Sequence, residues 1–277
     1  MNDAEYHYLT TAVRRLTGID LDAYKAHQMR RRLEGFLARA GAPSMAAYVA
    51  LLQREPAALR QLRDFLTINV TEFFRDPPQF QMLREEVLPA LGKRSPRLSI
   101  WSAGCSTGAE PYSVALLLEE LWPGSHHRIL ATDVDDGALD RARAGGPYTD
   151  AEVRNVPRAT LLTRFTKQDG GYWVAQELRH RVTFQQHNLL RDPFPTDLDL
   201  VLCRNVVIYF SDEAKAALYA RFHRALKPHG VLFTGGTETL YGGHDAAFQR
   251  LGGCFYRKAP AGTPAPLRPA ATARPVA

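Results

Sequence analysis

With 277 residues, 45% hydrophobic and 10% aromatic, the chain holds enough apolar material for a packed core of one or two domains, which excludes the disordered and fibrous classes. No apolar run approaches the roughly 20 residues that span a bilayer, and Met1-Asn-Asp-Ala-Glu-Tyr-His7 lacks a basic, apolar leader, so a cytoplasmic location without membrane insertion is expected. The formal charge of +6 invites a nucleic-acid reading, but the excess sits in two patches, and Cys105, Cys203 and Cys254, with no CxxC or Cys/His cluster, read as reduced packing residues with no metal.

Residues 1 to 68 read as an all-helical unit. Helical periodicity covers Glu5 to Thr17, Asp22 to Ala40 with Gly41 past its end, Met45 to Arg54 behind a Ser44 cap, and Ala57 to Thr67. The second helix places Tyr24, Leu33, Phe36 and Leu37 on a broadly apolar side, while Arg30, Arg31, Arg32 and Arg39 occupy others. That basic side is either a solvated face or a surface for an acidic partner. A linker follows at 69–91, opening Asn69-Val-Thr-Glu-Phe-Phe-Arg-Asp-Pro-Pro78, in which Asp76 and Pro77 predict an N-cap and first-turn proline for a helix to about Leu91.

From Leu98 strands and helices alternate, which predicts a doubly wound, Rossmann-like α/β sheet in a domain spanning 92–259. The strand Leu98 to Trp101 runs into a turn with Gly104 and Gly108 and then a helix, Glu110 to Leu121. That arrangement suits either a nucleotide-like ligand or simply a tight strand-to-helix turn, since three residues separate the glycines instead of the dinucleotide spacing. A second strand, Arg128 to Thr132, ends at Asp133, where a carboxylate can accept both hydroxyls of a ribose. Val182 to Phe184 leads to His187-Asn188-Leu189-Leu190, and Leu198 to Cys203 ends at Arg204-Asn205, so three strand ends converge on one crevice. Residues 147 to 181 exceed a simple crossover, and Thr166 to Ala175 predicts a hairpin within a small subdomain at about 165–181. Ser211 caps a helix to Leu226, Lys227-Pro-His-Gly230 reads as a break, and strands follow at Val231 to Thr234 and Cys254 to Arg257. Residues 260–277 are Pro/Ala-rich and expected to be a disordered tail.

Four blocks in this order, Asn69-Val-Thr-Glu-Phe-Phe-Arg-Asp-Pro77, Ala103-Gly-Cys-Ser-Thr-Gly-Ala-Glu-Pro-Tyr-Ser113, Ala131-Thr-Asp-Val134 and Cys203-Arg-Asn-Val-Val-Ile-Tyr-Phe210, resemble the chemotaxis receptor methyltransferase (CheR) family over residues 10 to 258. The resemblance implies a class I methyltransferase that moves a methyl group from S-adenosyl-L-methionine to receptor glutamates, leaving S-adenosyl-L-homocysteine. It implies that Asn69, Thr71 and Arg75 close over the cofactor, that Gly104 and Glu110 flank it, and that Asp133 takes the ribose. Asn188 and Leu189 would hold the adenine edge and Arg204 and Asn205 the methionyl side, with Arg75 and Tyr209 as catalytic candidates facing the substrate. The implied partners are the cytoplasmic helices of chemoreceptors, met by Arg30, Arg31, Arg32 and Arg39 of the N-terminal recognition domain; nucleic acid is not an expected partner, and a monomer is the expected working form.

Three departures from the family's pattern matter. Ala109 leaves Glu110 as the lone carboxylate of the turn, Gly235-Gly-Thr-Glu238 lacks the family's frequent histidine, and the hairpin turn Gln168-Asp-Gly-Gly171 is shorter than the loop that grips a receptor's tethering peptide in some relatives. Direct docking on receptor helices is therefore expected. Another acceptor, such as RNA or a small molecule, is disfavoured because the chain lacks an Asn/Asp-Pro-Pro-aromatic motif and a Pro-Cys nucleophile; a non-catalytic binding module is the other alternative.

Overall fold

The computed structural model describes residues 1–42, 44–238, 240 and 247–259. Four helices build the N-terminal unit: α1 (Asp3–Thr17), α2 (Ala26–Ala40), α3 (Met45–Arg54) and α4 (Pro56–Thr67). Asn2 and Glu5 form a reciprocal capping box, so α1 starts two residues before Glu5, and Ser44 accepts the Ala47 N–H at the head of α3. Leu9, Val13, Leu33, Leu52, Leu62 and Leu66 are buried together between these helices.

The helix expected from Asp22 is interrupted. The Asp20 carboxylate accepts the Asp22 N–H and holds Leu21–Ala23 as a 3-10 turn, so the side chain competes successfully with the helix. Tyr24 is then extended, leaves the apolar side of α2, and meets Phe210 edge-on with centroids 5.0 Å apart.

The linker leads into α5 (Pro77–Met82), a π turn (Leu83–Val87) and α6 (Leu88–Gly92). The widened turn, with the Leu88 N–H reaching the Leu83 carbonyl, precedes Pro89, which lacks an N–H and crowds the preceding turn. Asp76 does not cap this helix. It adopts a left-handed conformation (φ 61°) and gives its carboxylate to Arg204 at 2.7 Å, a charge-assisted bond stronger than a backbone cap.

The α/β part is assembled from β1 (Ser99–Ala103), α7 (Ala109–Leu121), β2 (Arg128–Asp133) and α8 (Asp136–Ala144). A small subdomain of α9 (Asp150–Val153), α10 (Arg158–Arg164) and the hairpin β3 (Phe165–Gln168)–β4 (Gly171–Val174) follows, then α11 (Gln176–Arg179). The sheet resumes with β5 (Val182–Gln186), β6 (Leu198–Cys203), α12 (Asp212–Ala225), β7 (Leu226–Thr234), β8 (Phe248–Gly252) and β9 (Phe255–Lys258).

Seven strands lie in the order β5-β2-β1-β6-β7-β9-β8, parallel from β5 to β7, with β9 antiparallel to both its neighbours. The two-residue period of the strands divides the core. Ile100, Leu200 and Phe233 pack with Phe80, Leu116 and Leu117 on one face, while Trp101, Val201 and Leu232 pack with Leu218 and Phe222 on the other. The order reverses between β1 and β6, and that switch point sets the crevice.

The end of the sheet differs further from the expectations. Lys227-Pro-His-Gly230 does not end a helix before the strand; β7 already begins at Leu226 and bulges there, with His229 left-handed (φ 65°) and the register shifting opposite Leu198 and Leu200. β8 was not expected, because Gln249, Arg250 and Leu251 are exposed on an edge strand and give no apolar alternation. The hairpin is as expected, turning through Asp169 and Gly170 with φ of 51° and 77°. Among the described residues no single helix is long and apolar enough to cross a membrane, and residues 260–277, where a disordered tail is expected, lie outside the described residues.

Candidate active site

One cavity opens at the carboxyl ends of β1, β2, β5 and β6, and Asn69, Thr71, Arg75, Gly104, Glu110, Asp133, Asn188, Leu189, Arg204, Asn205 and Tyr209 all line it. The N-terminal unit supplies the facing wall through Ile19, Asp20, Tyr24 and Leu66. That wall is absent from the sequence expectations, because no motif marks it; only the break of helix periodicity around Asp20 could have signalled it.

Hydrogen bonds fasten the wall to the sheet, beside the Arg63–Asp136 pair at 3.5 Å. The Asn188 Nδ2 donates to the Gly18 carbonyl at 3.0 Å, and the Lys25 N–H donates to the Tyr209 carbonyl at 3.0 Å. The Ser211 N–H donates to the Ala23 carbonyl at 2.8 Å, and the Thr67 hydroxyl donates to the Asp135 carboxylate at 2.8 Å.

The strand ends are built for close approach. Gly104 has φ of 89°, and a Cβ there would stand 2.5 Å from Val206 Cγ2, so only glycine fits the turn. Ile68, Ser106 and Asn205, which also line the cavity, and Phe74 and Asp76, which flank Arg75, are non-glycine residues with φ between 47° and 61°. Such backbone is costly, most of all for the β-branched Ile68, and persists where surrounding bonds over-determine it.

Those bonds come from the site's own polar groups. Asp133 accepts the N–H groups of Ser106 at 2.8 Å and Asp135 at 3.0 Å; burial pushes its carboxyl up to about 6 despite these bonds. Asn69 donates to Asp135 Oδ2 at 2.6 Å and accepts from the Ser106 hydroxyl at 3.0 Å, tying the linker to the loop after β2. Glu110 accepts the Ser102 hydroxyl at 2.7 Å and lies 3.5 Å from Arg204; burial raises its carboxyl above the ordinary range, opposed by that guanidinium.

Arg204 is nearly inaccessible. Its guanidinium lies over the Phe233 and Phe80 rings, at 4.5 and 5.3 Å from their centroids, and donates to the Arg75 carbonyl at 2.9 Å as well as to Asp76. It clamps the linker onto the end of β6. Phe73 and Phe74 root the same linker in the core, Phe73 edge-on to Tyr148 and Phe165, and the Phe74 N–H on the Ser113 hydroxyl at 2.9 Å.

Arg75 is left outside this web. Glu72 pairs with Arg154 at 2.6 Å and Asp76 with Arg204, so among the described residues no carboxylate pairs with Arg75, which donates only to the Val70 carbonyl at 3.0 Å. The hydroxyls of Thr71 and Tyr209 likewise make no hydrogen bond to a described residue.

The four arginines expected to face a partner differ in the fold. Arg30 pairs with Asp3 at 2.6 Å and lies over the Tyr6 ring, and Arg32 is half-buried, donating to the Phe65 carbonyl at 2.6 Å, with burial lowering its pKa. Arg31 and Arg39 are exposed and line a shallow groove with His27, Arg32 and Phe65. The guanidinium of Arg32 also lies 6.0 Å from the centre of the Tyr209 ring, next to the cavity.

Comparison with known proteins agrees with this geometry. The all-alpha domain of CheR methyltransferases matches residues 4–67, and their SAM binding domain matches residues 69–256. The chain is 35% identical to a chemotaxis protein methyltransferase of Listeria monocytogenes over 257 residues, covering 92% of this chain and 98% of that protein. It is 35% identical to chemotaxis protein methyltransferase 1 of Pseudomonas aeruginosa over 250 residues, 86% of this chain and 91% of that protein. Chemotaxis protein methyltransferase 2 of Vibrio cholerae is 34% identical over 235 residues, 81% of each chain.

S-adenosylmethionine is the cofactor, and the site fits it: a glycine cradle without room for a Cβ, a carboxylate at the end of β2, and a buried Asn205 Oδ1 that no described group satisfies. With a shared fold, a shared cofactor and matches along both of its parts, the chain belongs to the CheR methyltransferase family.

Proposed function

We propose that this protein methylates glutamate carboxylates on the cytoplasmic helices of chemoreceptors, giving methyl esters, as a monomer and without gripping a receptor tether. The observation that carries this reading is Arg75. It stands at the cavity between two acidic neighbours that are both committed to other arginines, which leaves its guanidinium for an incoming carboxylate.

When bound, S-adenosylmethionine supplies an electrophilic methyl group on a sulfonium sulfur. The assigned contacts are Asp133 with the ribose, Asn188 and the Leu189 backbone with the adenine, Gly104 and Glu110 beside the glycine turn, and Asn69, Thr71, Arg204 and Asn205 along the methionyl side. For Asn69, Asn188 and Arg204 the internal bonds above mean that they shape this side of the cavity as much as they touch it.

A substrate glutamate, with an ordinary pKa of about 4.3, is already an anion at neutral pH, so the chain needs no general base. Its residues act by alignment, from which effective molarities of about 10⁵ M and upward are available. Arg75 orients the carboxylate through one oxygen; a tighter, two-oxygen grip would favour the ground state, whose charge the reaction removes. The Tyr209 hydroxyl donates to the same group, and the wall of Ile19, Tyr24 and Leu66 excludes water.

The exposed Arg31 and Arg39 meet the acidic helices of the receptor, Arg32 borders the cavity, and Arg30 supports them from its pair with Asp3. The two-residue turn at Asp169-Gly170 supports docking without a tether. Transfer of labelled methyl from S-adenosylmethionine to membranes holding the host's chemoreceptors tests the reading. Label on receptor bands that alkali releases as methanol supports it; alkali-stable label points to another acceptor.

A further inference from the structure

Glu238 is a buried carboxylate, 4% exposed, four residues past the end of β7, and the mechanism above does not use it. Its Oε2 accepts two N–H groups, from Gly235 at 2.7 Å and from Asn205 at 2.7 Å, and so ties the end of β7 to the end of β6. Among the described residues no arginine, lysine or histidine pairs with it, and its Oε1 has no partner. Its charge helps to raise the pKa of Glu110, Cys203, Tyr219 and Cys254, each of which burial raises first.

A buried carboxylate held only by backbone amides is a costly arrangement unless it fixes something. What it fixes is the turn that begins at Asn205, left-handed at φ 61°, and runs through Val207–Tyr209. Burial raises the pKa of Glu238, opposed chiefly by the N–H groups of Asn205 and Gly235. The packing admits no substitute at Gly235, where a Cβ would lie 2.5 Å from Glu238 Oε2 and 2.9 Å from the Asn205 nitrogen.

We infer that Glu238 is a positioning residue for methyl transfer: its carboxylate holds the Asn205–Tyr209 turn so that Asn205 faces the cofactor and Tyr209 faces the substrate at once. This rests on the proposed roles of Asn205 and Tyr209.

The test uses the full chain, with Glu238→Ala, Glu238→Gln and Gly235→Ala beside wild type. Calorimetry gives the affinity and stoichiometry for S-adenosylhomocysteine, and steady-state transfer to receptor membranes gives kcat and KM. The Gln side chain keeps a neutral acceptor oxygen and the Ala side chain keeps none. The expected losses in kcat/KM are therefore about 10-fold for Glu238→Gln and about 100-fold for Glu238→Ala, with Gly235→Ala between them. All should bind one S-adenosylhomocysteine per folded chain, with weakened affinity.

Glu238→Ala within twofold of wild type in both affinity and kcat/KM would overturn the inference. So would losses that match only a reduced binding stoichiometry, with affinity and KM unchanged in the molecules that still bind. If Glu238→Ala does not fold, Glu238→Gln and Gly235→Ala decide by the same criteria. Failure of wild type to methylate receptors would count against the proposed function instead, and the calorimetric comparison would still decide the role of Glu238.

Discussion

The strand-end loops and the linker at 69–76 line the same cavity but are built in opposite ways. In the loops the side chains assigned to the ribose and adenine are locked, Asp133 by two backbone N–H groups and Asn188 by its bond to Gly18, and the backbone of Asn205 is held by Glu238. In the linker the flanks are locked, by Phe73, Phe74, Glu72 and Asp76, and the side chain between them, Arg75, is left with one bond to a carbonyl. Locked side chains favour binding a constant ligand. A held backbone with a released guanidinium favours receiving a carboxylate that differs from one receptor site to the next.

If that contrast is correct, Arg75→Ala should have the largest effect on turnover, a loss of kcat of about 100-fold or more, with a smaller change in affinity for S-adenosylhomocysteine. Arg75→Lys should restore only part of it, because an ammonium lacks the planar fork. Equal losses in affinity and turnover would erase the distinction between linker and loops.

Asp133→Asn should behave in the reverse sense, weakening S-adenosylhomocysteine about 10-fold to 100-fold while kcat at saturating cofactor holds. The wild-type protein should also bind more weakly as pH falls through about 6, since the anion is the better ribose acceptor and burial favours its neutral form. Calorimetry across pH 5 to 8 should show this step in wild type and not in Asp133→Asn.

Charge reversal at Arg31 and Arg39 should raise KM for receptor by about 3-fold to 10-fold at low salt, fading at about 0.5 M salt, with kcat and cofactor affinity unchanged. No change at low salt would reduce the groove to a solvated face. The smallest effect belongs to Arg154→Ala, which removes the partner of Glu72. Arg154 is largely exposed, so the melting temperature should fall by no more than about 3 °C. A marked loss of activity in Arg154→Ala would mean that freed Glu72 captures Arg75, which would sharpen the comparison further.

Most of the sheet was legible because its strands are continuous apolar runs ending in glycine or polar punctuation, and Gly104 and Gly108 adopt the left-handed backbone that their turn requires. The gathering of the named residues in one cavity followed from strand ends meeting at a single edge. What was not legible depends on partners far away in the chain. Asp76 reads locally as an N-cap, yet Arg204, 128 residues on, takes its carboxylate. Tyr24 reads as one more apolar position of a helix until Asp20 breaks the helix and Phe210 receives the ring. The role of Glu238 is not legible either: Gly235 is a local partner, but the Asn205 amide belongs to the end of β6, which only the sheet order brings beside β7.

The most direct test of the account is to map the methyl group on a chemoreceptor cytoplasmic fragment by mass spectrometry after reaction with wild type and with Arg75→Ala. The account predicts methyl esters on glutamate side chains of the receptor helices, removed by mild alkali and missing with Arg75→Ala. Methyl groups on nitrogen or sulfur, stable to alkali, or undiminished esters with Arg75→Ala, would contradict it.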